Sequence, residues 1–304
     1  MSDRLQQVLM SDGALLLDVD ARLEWLVSPW VALQPSAVPD GAHPPAARLY
    51  LHEASLLGVE VPRTPPTLRI GSVGVWLRQD AGRAVLGAAE QDCAGAVDLD
   101  VMQATVVTGV TSGVAPRLHA MLTLAAALLL GRLGRALVAA GAVVGPDGGA
   151  WLLAGEEGAG TATTVRRLVT AGWPYLSAER VLLRQNGRPG GVVVEGWPEV
   201  PDADSEEVRL LRRTAAPLDG VLLLRQAPQE PTVLRPRAEG DVLVALAPTS
   251  PWLRLDQSGA AGVVRALRFG LRAPVFDLHL GLDTYARPER LAEVLQDLPV
   301  GAIR

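Results

Sequence analysis

Residues Trp151 to Thr163 read WLLAGEEGAGTAT, and this stretch decides the fold of the second half of the chain. A short apolar run meets glycines at 155, 158 and 160, and a helical pattern follows from Thr163. This is the layout of a strand–loop–helix turn that binds phosphate. In the working motif, G-x-x-x-x-G-K-[ST], backbone N–H groups surround the phosphates, a lysine reaches them, and a hydroxyl binds Mg²⁺.

The two chemical positions of that motif are changed here. Thr161 stands at the lysine place and Ala162 at the hydroxyl place. The chain contains no lysine, and all of its 28 basic residues are arginine, so no other lysine can substitute. Two glutamates also place negative charge where a triphosphate would lie, and each like-charge contact costs about 3 kcal/mol at roughly 5 Å and an effective dielectric near 20. We therefore predict a degenerate nucleotide-binding loop made of Gly155, Glu156, Glu157, Gly158, Ala159, Gly160, Thr161, Ala162 and Thr163.

Each remnant of the motif also has a purely structural interpretation. The glycines can form a tight turn between a strand and a helix without binding an anion. The hydroxyls of Thr161 and Thr163 can cap the start of the helix. Glu156 and Glu157 can stabilise the helix dipole in the place of a phosphate. The sequence leaves these alternatives open.

Composition limits the class of protein. The chain has 304 residues, 49% of them hydrophobic, which is enough for one large or two ordinary folded domains. Its net charge of -5 argues against a nucleic-acid binder. The single cysteine, Cys93, fits a reducing compartment, and the N-terminus does not read as a secretory signal, so we expect a cytoplasmic location. The longest apolar stretch, Ala120 to Leu130, is too short to span a membrane.

Two regions are expected along the chain. Residues 1–115 form a strand-rich N-terminal region with many prolines. Residues 116–304 form an α/β domain, because predicted strands and helices alternate there. Its first helix, predicted over 117–135 and opened by Pro116, is apolar nearly all round. Such a helix is either deeply buried or part of a subunit interface, which leaves a homo-oligomer possible.

From about Gly134 onward, the order of elements resembles the P-loop domain of HPr serine kinase/phosphorylase and related proteins with a PEP carboxykinase-like fold. The resemblance extends to short sequence motifs. After the loop, Gly172 to Glu179 reads GWPYLSAE, which is similar to the family's G-[WY]-x-[YF]-LSDD segment. Val194 to Pro198 reads VEGWP, like the family's V-x-G-[FW]-P turn. The resemblance implies an α/β fold with a mixed sheet.

Working members of that family are ATP-dependent serine kinases that use Mg²⁺, the loop lysine and an acidic pair. Carried over by position, the acidic pair falls at Ala178 and Glu179, and the family's strand histidine falls at Ala139. The resemblance therefore implies a degenerate acidic motif and the loss of phosphoryl-transfer chemistry. We expect a catalytically inactive relative with no catalytic residue, metal or cofactor. We expect it to act as a binding or regulatory module for a protein or peptide partner.

Other functions stay open at the level of sequence. The chain could be an ATP-dependent serine kinase with an atypical loop, acting on a protein or peptide with Mg²⁺. In that case Arg166 or Arg167 would replace the lysine and Glu179 would hold the metal. A third possibility is a small-anion or metabolite binder that uses the N-terminal region. The four histidines do not show the spacing of a zinc site.

Overall fold

The computed structural model divides the chain into two compact units, each built around a β-sheet. The residues it describes are 6–31, 45–53, 61–78, 82–88, 92–110, 113–156, 158–186, 191–199, 211–237, 246, 250, 252, 255–267, 273–287, 289–296 and 298. The first unit comprises Met1–Gly134 and Pro251–Val263, and the second comprises Arg135–Ser250 and Val264–Arg304.

The first unit contains a mixed sheet. Its strands are β1 (Gln6–Met10), β2 (Leu15–Val19), β3 (Ala47–Glu53), β4 (Leu68–Ile70), β5 (Val73–Arg78), β6 (Arg83–Ala88), β7 (Cys93–Asp98) and β8 (Gln103–Thr108). In the described part of the chain they lie in the order β1-β2-β3-β8-β7-β6-β5-β4. Strands β2, β3 and β8 are parallel, and the other neighbours are antiparallel. The strand-rich N-terminal part predicted from the sequence is confirmed.

A long helix covers one face of this sheet. The unit has a 3₁₀ helix (Ala21–Val27), a short helix α1 (Ser28–Val31) and the long helix α2 (Val114–Arg132). Helix α2 packs against β3 and β5 to β8, and residues on several sides of it are fully buried, among them Met121, Leu122 and Leu130. It is long and apolar enough to cross a membrane, but 78% of its apolar window is buried inside the structure. Of the two uses expected for it, the structure shows deep burial.

The boundary between the units differs from the expected one. We expected the N-terminal region to end at residue 115 and the α/β domain to begin with the long helix. Helix α2 instead belongs to the first unit, which continues to Gly134. The reason is packing, because the apolar surface of α2 is buried against the strands of the first sheet. Sequence periodicity identifies such a helix but not the sheet that it covers.

The second unit is an α/β structure with a mixed sheet, as predicted. Its strands are β9 (Ala136–Val138), β10 (Gly141–Val144), β11 (Ala150–Ala154), β12 (Tyr175–Ser177), β13 (Val181–Gln185), β14 (Val192–Gly196), β15 (Ala215–Gln226), β16 (Val233–Arg237) and β17 (Val275–Leu280). Its helices are α3 (Thr161–Thr170), α5 (Asp283–Ala286) and α6 (Glu289–Gln296). Helix α4 (Gln257–Leu267) begins in the first unit and ends in the second.

The long strand β15 organises the second sheet. Its first residues pair with β14, and its later residues lie between β11 and β17, parallel to both. On the far side, β17 pairs antiparallel with β16. Parallel strands bring their carboxyl ends to the same edge of a sheet, which is where α/β proteins place ligand-binding loops. The loop after β11 lies at this edge.

One face of this sheet carries a hydrophobic core cluster of the second unit. Trp151, Leu222 and Phe276 lie on neighbouring strands of that face, and Leu168 of α3 and Leu291 of α6 pack over them. The ring of Trp151 lies against the backbone of Gly220, because a Cβ added at Gly220 would lie only 2.1 Å from the ring. The glycine is therefore required by packing.

The sequence patterns located most elements but merged some of them. The prediction of a single strand over 175–183 is wrong, since a turn at 178–180 separates β12 from β13. The strand predicted over 136–144 is likewise two strands, β9 and β10. The helix predicted over 237–247 falls mostly outside the described residues.

We expect Gly220→Ala to lower the free energy of unfolding by about 1–3 kcal/mol, because its methyl group would collide with the buried ring of Trp151. The measurement is urea denaturation followed by tryptophan fluorescence. Gly131→Ala is the control, since a Cβ there meets nothing within 4 Å and alanine favours the helix by roughly 0.5–1 kcal/mol. Equal stability of the natural chain and Gly220→Ala would contradict this packing.

Candidate functional site

The loop of residues 155–160 joins the carboxyl end of β11 to the start of α3. Gly158 and Gly160 have φ values of 84° and 91°, a region that glycine adopts far more readily than other residues. At Gly155 an added Cβ would lie 2.6 Å from the Cβ of Ala159. The strand–loop–helix turn predicted from the sequence is thus present, and its glycines are required by the geometry of the backbone.

Hydrogen bonds within the chain hold this loop in place. The side-chain amide of Gln226 donates to the carbonyl oxygen of Ala159 at 2.8 Å, and the backbone N–H of Ala159 donates to the carbonyl of Glu156 at 2.9 Å. Thr164 donates from both its N–H and its hydroxyl to the carbonyl of Gly160, each at 2.8 Å. The loop is therefore connected to the end of β15 and to the first turn of α3.

The predicted loop residues differ in their exposure. Gly155, Gly160, Thr161 and Ala162 are half-buried, Glu156, Gly158 and Thr163 are exposed, Ala159 is buried, and Glu157 lies outside the described residues. Gly160 is the N-cap of α3, and no side chain caps the helix there. The capping role considered for Thr161 and Thr163 is therefore not seen, because both residues lie inside the helix.

Ala178, the first residue of the predicted acidic motif, lies close to the start of α3. A Cβ added at Gly141 would lie 3.2 Å from Cγ2 of Thr161 and 3.1 Å from the carbonyl oxygen of Ala178. The fold thus brings together Thr161 and Ala178, which lie on separate sequence segments. Ala139, at the place of the family's histidine, is exposed in the turn between β9 and β10.

A carboxylate that the sequence patterns did not identify organises the turn between β12 and β13. One oxygen of Glu199 accepts hydrogen bonds from the backbone N–H groups of Ala178 and Glu179, both at 2.7 Å, and from the hydroxyl of Ser177. The hydroxyl of the fully buried Ser177 also accepts the N–H of Arg180 at 3.1 Å. Glu199 therefore supplies an anion beside Ala178 and Glu179, the positions predicted from the sequence as a degenerate acidic motif.

Glu179 does not share this environment. Its side chain is 58% exposed and pairs with the neighbouring Arg180 at 3.2 Å. This is the arrangement of a surface ion pair, which contributes little to stability. No group of three His, Cys, Asp or Glu side chains that could hold a metal is found in the part of the chain that the structure describes.

The site fits Mg²⁺ and a triphosphate poorly. In P-loop enzymes the cation is held by the loop hydroxyl and by an acidic residue from a core strand. Here the loop position is Ala162, and the neighbouring parallel strand ends in the neutral Gln226, whose amide donates to the loop. The described residues therefore provide neither of those metal ligands at the loop.

Arg167, which we considered as a replacement for the lysine, belongs to another polar network. Its guanidinium donates to the hydroxyl of Thr284 at 3.3 Å, and that hydroxyl donates to the carbonyl of Gly281 at 3.0 Å. Gly281 in turn donates its N–H to the hydroxyl of Thr232 at 2.9 Å. These contacts link α3 to the segment that follows β17.

Asp283 is the charged centre of the same network. It accepts the hydroxyl of Thr232 at 2.6 Å, the N–H of Thr232 at 3.0 Å and the N–H of Thr284 at 3.1 Å. Burial of the carboxyl group favours its neutral form, but these hydrogen bonds favour the ionised form and hold the pKa of Asp283 below its ordinary value of 3.8. The ionised carboxylate therefore stabilises the folded chain.

Comparison with known proteins gives a distant likeness in fold. No family model matches the chain, and no curated protein matches it. Among solved structures, the chain is similar to the HPr(Ser) kinase/phosphatase from Coxiella burnetii, with 11% sequence identity and a TM-score of 0.32. The similarity covers 53% of this chain and 94% of that one.

We expect Glu199→Ala to lower the free energy of unfolding by about 1–3 kcal/mol, because the donors at residues 177 to 179 lose their shared acceptor. Urea denaturation measures the change. Glu179→Ala is the matched control, and it should cost no more than about 0.5 kcal/mol because its ion pair is exposed. Equal losses in the two variants would show that Glu199 does not organise the turn.

We expect the stability provided by Asp283 to depend on pH. Because its pKa is lowered, its contribution is fully present above the ordinary pKa and is lost as the pH falls through the pKa of the folded state. The difference in unfolding free energy between the natural chain and Asp283→Asn should therefore shrink as the pH falls from about 5 towards 2.

Urea denaturation at a series of pH values measures this difference. Glu179→Gln is the control, because Glu179 forms an exposed ion pair with Arg180. A difference for Asp283→Asn that stays constant over this pH range would contradict the assignment.

Proposed function

We propose that this chain is a catalytically inactive relative of the HPr serine kinase/phosphorylase-like proteins and acts as a binding or regulatory module. The observation that carries the proposal is the hydrogen bond from Gln226 to Ala159. It places a neutral amide at the end of the strand beside the loop, where a metal-binding carboxylate would serve a kinase. Thr161 and Ala162 occupy the places of the lysine and the hydroxyl.

Electrostatics at the loop supports the same proposal. Phosphoryl transfer depends almost entirely on positioning and on neutralising the charge of the phosphates. The described loop residues carry no positive charge, and the side chain of Glu156 is exposed at its rim. A carboxylate about 5 Å from a phosphate costs roughly 3 kcal/mol at an effective dielectric near 20. This cost opposes nucleotide binding at the loop.

The internal bonds of the loop fit a role without nucleotide. If the chain does not bind nucleotide, the loop must keep its conformation without a bound phosphate. Gln226 and Thr164 instead hold the carbonyl groups of Ala159 and Gly160, and Glu199 holds the neighbouring turn. These contacts keep a kinase-like framework folded while it serves another purpose.

The remaining features of the proposal follow from the sequence. We propose a protein or peptide partner, no cofactor and no metal, and a cytoplasmic location in keeping with the single, buried Cys93. The net charge of -5 disfavours nucleic acid as the partner. Assembly into a homo-oligomer and the absence of a membrane interaction also remain predictions.

The alternative is an ATP-dependent serine kinase with an atypical loop. It would need Arg166 or Arg167 to reach the phosphates and Glu179 to hold Mg²⁺. Two contacts count against it, since Arg167 donates to Thr284 and Glu179 pairs with Arg180 on the surface. Arginine also differs from lysine in length and shape, so that a rebuilt loop would be required.

We expect Mg·ATP and Mg·GTP at millimolar concentration to leave the melting temperature of the natural chain unchanged. A ligand at one hundred times its dissociation constant would add about 2.7 kcal/mol of stability, which a thermal-shift titration detects easily. A concentration-dependent rise in melting temperature with either nucleotide would contradict the proposal and favour the kinase.

A restored loop is the matched control. The variant carries Thr161→Lys and Ala162→Ser together with Glu156→Ala and Glu157→Ala, so that the lysine and the hydroxyl return and the rim charge is removed. We expect this variant to gain a nucleotide-dependent shift that the natural chain lacks. Equal shifts in the two proteins would show that these four residues do not decide nucleotide binding.

A further inference from the structure

Two glycines make a depression on one face of the first sheet. Gly74 of β5 and Gly87 of β6 are partners in the register of the sheet, and Trp76 lies two residues after Gly74, on the same face. A Cβ added at Gly74 would lie 2.8 Å from the ring of Trp76, and one added at Gly87 would lie 3.1 Å from it. The ring therefore lies across the backbone of both glycines. We call the surface formed by Gly74, Trp76 and Gly87 the Trp76 groove.

A proline-rich segment of the same chain lies in this groove. Residues 61–67 read VPRTPPT and lead directly into β4. The carbonyl oxygen of Thr64 accepts a hydrogen bond from the indole N–H of Trp76 at 2.7 Å. We call residues 61–67 the strap.

Side chains of the strap contact the floor of the groove. A Cβ added at Gly74 would lie 3.2 Å from the Cβ of Pro66, and one added at Gly87 would lie 2.7 Å from Cγ1 of Val61. Atoms at such distances are in collision, so a side chain at either position would displace the strap. The two glycines are therefore needed for the strap as well as for the indole ring.

These contacts are the ones by which aromatic-lined grooves recognise proline-rich peptides. Each proline fixes its own φ and favours extended backbone at the residue before it, here Val61, Thr64 and Pro65. A segment stiffened in this way loses little conformational entropy on binding. Its carbonyl groups are open to outside donors, and the indole of Trp76 offers one N–H donor on a large apolar ring. The Trp76 groove thus fits an extended proline-rich segment.

The strap is weakly attached to the rest of the unit. It is neither helix nor strand, and Arg63, Thr64 and Pro65 are exposed. Among the described residues, the hydrogen bond from Trp76 is the only one that residues 61–66 make. Exposed segments with few hydrogen bonds open at a low cost in free energy. Residues 61–66 can therefore leave the groove without breaking the hydrogen bonds between β4, β5 and β6.

We propose that the Trp76 groove binds a proline-rich segment of the protein or peptide partner, and that the strap occupies the groove until this segment replaces it. The proposal names the chemistry of the partner in the proposed function and rests on that function. A partner segment with the proline spacing of the strap would place a carbonyl at the indole N–H and apolar groups over Gly74 and Gly87. Because the strap is tethered beside the groove, it competes at an effective concentration that is roughly millimolar. The strap therefore restricts access to the groove.

The test measures binding of a fluorescein-labelled peptide of the strap sequence, VPRTPPT, by fluorescence anisotropy. The full natural chain is compared with an open variant, Pro62→Ala/Pro65→Ala/Pro66→Ala, in which the strap is weakened and the groove is unchanged. We expect the open variant to bind the peptide at least about tenfold more tightly, because the apparent affinity is reduced by the fraction of molecules in which the groove is closed. A peptide with alanine at the three proline positions, VARTAAT, should bind neither protein.

The matched control compares two tryptophans of the first unit. Trp76→Phe added to the open variant keeps an aromatic ring but removes the indole donor, and it should weaken peptide binding about threefold or more. Trp25→Phe makes the same chemical change at a residue that is 59% exposed in the 3₁₀ helix, and it should alter binding by less than about twofold. Equal effects of the two substitutions would overturn the proposal, as would equal binding of the two peptides.

The natural chain provides a second measurement that does not depend on folding of the open variant. In a ¹H–¹⁵N spectrum, the indole signal of Trp76 is the one that Trp76→Phe removes. We expect this signal to move when unlabelled VPRTPPT is added at up to about 10 mM, because the tethered strap competes at millimolar effective concentration. A signal that does not move, or that moves equally with VARTAAT, would overturn the proposal.

A second copy of this chain also carries the strap sequence. A dimer of the natural chain in analytical ultracentrifugation that Trp76→Phe abolishes would assign the groove to exchange of straps between copies and overturn the proposal. The nucleotide titration fails independently of these tests. A thermal shift with Mg·ATP together with peptide binding would contradict the proposed function but keep the Trp76 groove, whereas no shift and no peptide binding would contradict the groove alone.

Discussion

The amide of Gln226 joins the loop after β11 to the end of the neighbouring parallel strand, and the site depends on this hydrogen bond. In open α/β sheets, ligands bind outside the carboxyl ends of the parallel strands. In this chain the carbonyl of Ala159 receives a partner from β15, and that of Gly160 receives one from α3. The loop is therefore held by contacts within the protein itself.

A second internal contact also holds a loop in place, and here a carboxylate accepts hydrogen bonds from backbone N–H groups. Consecutive backbone N–H groups in a turn form a concavity suited to an anion. The turn between β12 and β13 offers the N–H groups of Ala178 and Glu179, and the carboxylate of Glu199 binds both. The loop after β11 and the turn between β12 and β13 are thus each held by a side chain of this protein. An arrangement of this kind favours a stable framework over a reactive site.

Local sequence patterns were sufficient to predict the loop, but they could not predict the contacts around it. The positions of Gly158 and Gly160 are readable in the sequence because a positive φ selects glycine locally. The bond between Glu199 and the turn could not be predicted, since it joins residues 20 or more positions apart and depends on how β14 pairs with β13. The same limit applies to α2, whose periodicity shows an apolar surface but not the sheet on which it packs.

The end of β15 presents different side chains to the two faces of the second sheet. Successive residues of a strand point to opposite faces of the sheet, so neighbouring positions serve different surroundings. Gln226 is directed to the face where α3 and the loop lie, and Arg225, one residue earlier, is directed to the face of Asp277. Exchanging the two residue types would place a guanidinium beside the loop, where it could attract phosphate, and an amide beside Asp277. The order Arg-Gln therefore keeps positive charge away from the loop after β11 and places the guanidinium beside Asp277.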